Sequence, residues 1–194
     1  MSSRIRFASA SSVFDAFPDL RRVAATPAES AAPLDHARAL LASRPPEAVM
    51  FIAHLLPRRE AVWWAVQCVR GLLGARSEDE AFHAADAWTR APEEVNRCGA
   101  LAVAGSADQE APTTWLAFAA GWSGGSVTPP GQQPLPAPAS ACALGANTAV
   151  MLAAARGDPR EVAGRIKACA EAGIRFAEGG DAMLSLPTGR QPAR

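Results

Sequence analysis

The chain is predicted to be an all-α domain folded as an irregular antiparallel helical bundle, with a short helical-repeat solenoid as the alternative. Three observations carry this prediction. Apolar residues recur at helical spacing through most of the 194 residues. Proline and capping signals mark successive helix starts near positions 46, 57, 77, 92 and 112. No segment shows the alternation and β-branched content of a strand. Alanine, the strongest helix former, is abundant and lets helices approach closely.

Residues 1–33 read as a poorly ordered N-terminal arm. Phe7, Val13, Phe14, Phe17 and Leu20 suit a short helix or an extended strip against the body, and Pro18, Pro27 and Pro33 break any longer element. Thr26-Pro27-Ala28-Glu29 reads as a helix start. Residues 34–180 form a single helical domain. Leu34, Ala37, Leu40 and Leu41 give one apolar face, Pro45-Pro46 ends that helix, and Ala48 to Leu56 makes a strongly apolar one. After Pro57, the residues Val62, Trp63, Val66, Val69 and Leu73 share a face, with Trp64, Cys68 and Leu72 along its edge.

Ser77-Glu78-Asp79-Glu80 reads as a capping box with serine at the cap. Phe82, Ala85 and Trp88 follow it at helical spacing. Pro92 and Pro112 open two further helices, the second carrying Trp115, Phe118 and Trp122. Residues 123–138 are dense in glycine and proline and read as a long mobile loop that cannot complete a backbone ladder. An alanine-rich helix over 139–155 follows. Asp158-Pro159-Arg160-Glu161 then caps a last helix. Residues 181–194 read as a flexible tail.

Composition narrows the function. Formal net charge is zero, which provides no electrostatic footprint for nucleic acid or an anionic membrane. No apolar run is long enough to span a bilayer, and no secretory leader pattern is read at the N-terminus, so the expected location is cytoplasmic. Cys68, Cys98, Cys142 and Cys169 are far apart and lie among apolar neighbours, the pattern of reduced, mostly buried thiols. His36, His54 and His83 fall on three different helices, so neither metal nor cofactor is expected. His54 is read as a satisfied buried imidazole. A His54–Glu60 acid–base pair has no nucleophile or oxyanion loop beside it, and no catalytic residue is assigned.

The unusual segment is Pro57-Arg58-Arg59-Glu60-Ala61-Val62-Trp63-Trp64-Ala65. Two arginines in a first helical turn oppose the helix dipole by about 0.3–1 kcal/mol each where exposed, so an acceptor is required. It is either an anionic ligand or partner at the helix start, or this chain's own acidic segments, Glu78-Asp79-Glu80 or Glu93-Glu94. Trp63 and Trp64 lie about 100° apart around a helix. Trp63, in line with Val66 and Val69, reads as core. Trp64 reads as an edge residue, either covered by a second layer or partly exposed as an interaction anchor. Arg58, Arg59, Glu60, Trp63 and Trp64 are the candidate binding residues.

This motif, preceded by Ala-His-Leu-Leu at 53–56, resembles the signature of an uncharacterised bacterial family of unknown function, over residues 34–176. The resemblance implies no catalytic residue. It does imply an association with type VI secretion components, which would suit an adaptor, chaperone or accessory role. The resulting expectation is a non-enzymatic module that binds a protein partner of unknown identity. The alternative is a small anionic-ligand-binding domain or enzyme that uses the Arg58/Arg59 helix start.

Overall fold

The computed structural model describes residues 3–26, 31–128 and 132–186. Among these residues the chain is all-α, with no strand. Nine α-helices follow in order: α1 (Ala10–Ala16), α2 (Pro33–Ser43), α3 (Pro45–Leu55), α4 (Arg58–Leu73), α5 (Glu80–Arg90), α6 (Glu94–Ser106), α7 (Pro112–Gly121), α8 (Ala141–Ala155) and α9 (Val162–Ala177). Short 3-10 turns at Pro18–Arg22, Gly74–Ser77 and Pro159–Glu161 complete it.

Proline sets several of these starts. It occupies the first turn of α2, α3 and α7, where its missing N–H would have had no partner in any case. The Asp158 carboxylate accepts from Arg160 N at 2.9 Å, as its cap pattern predicts, and Pro159 opens the 3-10 turn that leads into α9. The cap of α5 differs from the sequence reading. Gly74, at φ +57°, ends α4, and the tight turn after it directs the buried Ser77 hydroxyl back to Gly74 O at 2.8 Å. Asp79 becomes the cap and accepts from Phe82 N at 2.8 Å.

The arrangement is a bundle. α8 packs against α3, α4, α7 and α9, while α7 also contacts α4, α5 and α6. A solenoid would confine each helix to its sequence neighbours. Contacts such as α3 with α9 and α4 with α8 exclude that arrangement. α7 and α8 are apolar nearly all round, as central helices must be, and eight of the ten α7 residues are buried. Small residues allow the close crossing. A Cβ on Gly145 of α8 would meet the Ala119 backbone of α7 at 3.0 Å.

Residues 3–26, read as a poorly ordered arm, are integrated into this core. Phe14 is fully buried, stacked 5.8 Å from Phe51, and Phe17 meets the His54 ring edge-on at 5.0 Å. The arm's aromatics complete a cluster that α2 and α3 cannot close alone. The helix start read at Thr26–Glu29 falls mostly outside the described residues. In the segment read as a flexible tail, Ala182 is buried and Arg175 donates to Met183 O at 2.5 Å; residues 187–194 lie outside the description.

The expectation that 123–138 cannot complete a backbone ladder is corrected. Val127 N donates to Leu135 O at 2.8 Å and Ala137 N to Gly125 O at 3.1 Å, around an antiparallel Ser126–Pro136 bridge. The prolines at 134, 136 and 138 alternate with residues that keep their N–H, so the donors needed for pairing survive.

Candidate functional site

Of the two readings left open for Trp64 the covered one holds, and Trp63, read as core, is the tryptophan that departs from expectation. Trp64 is fully buried; its indole N–H donates to Cys169 O at 3.1 Å, and it packs where a Cβ on Gly173 would meet its Nε1 at 2.9 Å. Trp63 is half-buried and stacks on Phe176 of α9, with ring centroids 5.0 Å apart and planes 20° from parallel. The placement of Trp64 has a packing cause. α4 is covered on more than one side, by α8, α7, α5 and α9, so its buried arc is broad and includes both Trp64 and Cys68. Periodicity identified a stripe, and the stripe was too narrow.

Arg58 and Arg59 find neither of the acidic partners proposed from sequence. Arg58 donates from Nη1 to Ser123 O at 2.7 Å, and Arg59 donates from Nε to Thr89 O at 2.7 Å. Both acceptors lie at the C-terminal ends of other helices, Thr89 within the last turn of α5 and Ser123 just past α7. These are the negative ends of helix dipoles, with carbonyls that have no intrahelical donor. The penalty of cationic charge at the start of α4 is offset there, without any carboxylate.

The same device recurs. Arg97, 5% exposed, donates from Nη1 to Gly121 O at 2.5 Å and Ser126 O at 3.1 Å, while Glu94 takes its Nε and Nη2. Arg4 Nη1 donates to Phe176 O at 2.6 Å and Gly180 O at 2.8 Å, at the end of α9. Arg165 donates to the carbonyl of Arg156, which caps α8. A planar fork reaches two carbonyls at once, which a lysine ammonium does with less geometric definition. This gives a structural use to a chain whose only lysine is Lys167.

The motif's exposed edge forms a hollow of about 290 Å³ lined by Arg4, Arg59, Glu60, Trp63 and Phe176. Arg4 lies over the Phe176 ring, 4.2 Å from its centroid, so guanidinium, phenyl and indole form one stack. The terminal nitrogens of Arg59 have no partner among the described residues. Three of the five candidate residues, Arg59, Glu60 and Trp63, therefore converge on one surface, with Trp64 supporting from the core and Arg58 turned to the α7 end. Arg4 and Phe176 escaped the sequence reading. They lie 53 and 111 positions from the motif, and no local pattern joins them to it.

Outside the hollow, the titratable groups that stand out are His54 and the cysteines. His54 Nδ1 lies 2.8 Å from Met50 O, and burial holds its pKa below the ordinary value. Glu60 is not its partner. Burial pushes the Cys142 thiol up to about 12. Cys98 is also raised, first by burial and then by its contact with Glu94, so it too is a thiol at neutral pH. All four cysteines are free, and three are buried. Among the described residues no three His, Cys, Asp or Glu side chains converge as a metal site would require, and no helix is long and apolar enough to cross a membrane.

No curated protein and no solved structure matches this chain. A family match does span most of it, residues 20–177, including the whole of α2 to α9 with the motif helix at their centre. The chain belongs to the family of unknown function DUF6931.

Proposed function

We propose that this protein is a non-enzymatic protein-binding module and that its docking surface is the Arg4–Arg59–Glu60–Trp63–Phe176 hollow. One observation carries the proposal: a half-buried tryptophan, stacked between protein and solvent, stands beside a guanidinium with unpartnered nitrogens. Tryptophan and arginine are the residue types that dominate interface hot spots. At about 290 Å³ the hollow lies at the lower edge of small-ligand sites and suits one inserted side chain. Glu60 opposes a bare anion there, and a partner bearing both signs would satisfy it.

A second reading, an anionic-ligand site, draws on the presence of both Arg4 and Arg59 in the hollow. The motif's resemblance supports the finer proposal of an adaptor, chaperone or accessory protein in the bacterial cytoplasm, beside type VI secretion components. The test is affinity capture from the native host with Arg59→Ala and Trp63→Ala beside the unaltered protein. Loss of one specific partner by both folded variants supports the module. An unchanged partner set overturns it, and phosphate binding that disappears with Arg59→Ala would favour the ligand reading.

A further inference from the structure

A larger cavity, of about 540 Å³, lies away from the motif hollow, between α6 and the segment paired around Ser126 and Pro136. One wall is a single stripe of α6, in which Glu94, Cys98, Leu101, Ala102 and Gly105 recur at helical spacing. At the helical rise the stripe runs for about 16 Å. Thr128 and Pro134 belong to the facing wall. Both walls are fixed in place. Arg97 of α6 donates across to Gly121 O and Ser126 O, and a Cβ on Gly125, at φ +58°, would meet its Nη2 at 2.8 Å. α6 is itself seated on α7, where a Cβ on Gly121 would meet Leu101 Cα at 2.9 Å. The cavity is therefore pre-formed, and its volume falls within the range of about 300–1,000 Å³ usual for small-molecule sites.

The polar groups of the lining decide which head group it can hold. A guanidinium has five N–H donors, and those of Arg97 are all engaged within the chain. Nη1 serves the two carbonyls, Nε donates to Glu94 Oε2 at 2.7 Å, and Nη2 donates to Glu94 Oε1 at 2.6 Å and to Cys98 Sγ at 3.3 Å. The one cation among the described lining residues is thus buried and has no donor left for a carboxylate or phosphate. The Ser126 and Thr128 hydroxyls bond to each other at 2.6 Å, and Thr128 Oγ1 also to Gln133 O at 2.9 Å. Glu94 differs. Its side chain is 68% exposed, and the hydrogen bonds from Arg97 hold its carboxyl below the usual range, so it is ionised at neutral pH. Glu93 adds a second exposed carboxylate at the same helix start. The other end of the stripe is apolar and small: Ala102 and Gly105 are exposed, and a Cβ on Gly105 would meet nothing within 4 Å.

We infer that this cavity binds a small cationic amphiphile, with an apolar chain lying along α6 over Leu101, Ala102 and Gly105 and an amine head at the Glu94 carboxylate. Shape argues for a chain, because the lining follows one helix for three turns. Charge selects the head. An ionised, accessible carboxylate takes an ammonium in charge-assisted hydrogen bonds, whereas an anionic head would face Glu94 and Glu93 with no free cation to receive it. Cys98 stands between head and chain, half-buried in the lining, and a bound ligand would cover it. This site shares no residue with the Arg59–Trp63 hollow and does not depend on the reading given to that surface.

The test uses decylamine, decanol and decanoate as probes on the full-length chain, all below micelle-forming concentrations. Intact-protein mass spectrometry follows the rate at which a maleimide modifies Cys98, the one thiol that is not buried. Decylamine should slow that rate several-fold and saturably, decanol less, and decanoate not at all, with calorimetric titration giving the matching affinities. Gly105→Leu should abolish binding without lowering the melting temperature, since the new side chain enters the cavity rather than the core and leucine is the better helix former. Glu94→Gln should weaken decylamine about tenfold or more and leave decanol unchanged. Arg59→Ala should bind decylamine as before, which separates this cavity from the motif hollow. No protection by decylamine, equal protection by decanoate or decanol, or undiminished binding to Gly105→Leu would each overturn the inference.

Discussion

Alanine substitution at the two neighbouring tryptophans should have very different effects. Trp64 is fully buried against Gly173 and donates to Cys169 O. Truncating such a side chain costs about 3–5 kcal/mol in transfer and cavity terms. The lost indole hydrogen bond adds about 1 kcal/mol. Together these consume a large share of the roughly 5–15 kcal/mol that a domain has in total. For a chain of this size the melting temperature should fall by about 10–20 °C. Trp63 is half-buried, and its main contact is the Phe176 stack at 5.0 Å. Losing that stack costs about 0.5–1.5 kcal/mol, and the partial burial adds about as much again. Trp63→Ala should therefore melt only about 4–8 °C lower. Far-UV circular dichroism melts, with urea titrations to check that the slope is unchanged, read both variants. If Trp63→Ala is as damaging as Trp64→Ala, or more so, α4 presents a different face to the core and the motif hollow is misassigned.

Arg59→Ala should leave the fold intact and lower stability by about 0.5–2 kcal/mol, through loss of one charged cap on α5; a melting temperature equal to that of the unaltered protein would show that the Thr89 contact is idle. Gly173→Ala should destabilise by about 1–3 kcal/mol, since the added Cβ would lie 2.7 Å from Ile52 and 2.9 Å from the Trp64 indole; a neutral result in urea unfolding would contradict that packing. Stability should fall as pH drops below about 6.5, because burial depresses the folded-state pKa of His54 and the unfolded chain then binds more protons. His54→Leu should flatten that slope, and a slope unchanged by the substitution would assign the effect elsewhere. A thiol reagent at neutral pH should modify Cys98 slowly and leave the buried Cys68, Cys142 and Cys169 intact until the protein unfolds; rapid labelling of all four in the native protein would refute the packing.

The residues 57–65 show where local reading succeeds and where it fails. A helix starting after Pro57 was legible because proline position, charge and apolar spacing are local properties. That the paired arginines required an acceptor was legible too, since a helix dipole has a sign. Which acceptor they meet was not. Thr89 and Ser123 supply it through main-chain carbonyls, and a carbonyl carries no residue identity for a sequence pattern to detect. The hollow was half legible for a similar reason. Arg59, Glu60 and Trp63 belong to one helical turn, whereas Arg4 and Phe176 arrive from opposite ends of the chain.

Periodicity, proline placement and alanine content are sums over neighbouring residues, and they suffice for an all-α chain with most of its helix boundaries. The order in which helices surround one another is set by long-range packing, where a few small residues decide how near two axes come. Gly145 against Ala119 and Gly173 against Trp64 are such points. The first brings α8 onto α7, and the second brings α9 onto the motif helix, burying Trp64 and leaving Trp63 facing outward on Phe176. A single sequence shows a stripe of apolar residues on α4, but the number of neighbours covering that helix, and so the width of its buried arc, exists only once the bundle has closed.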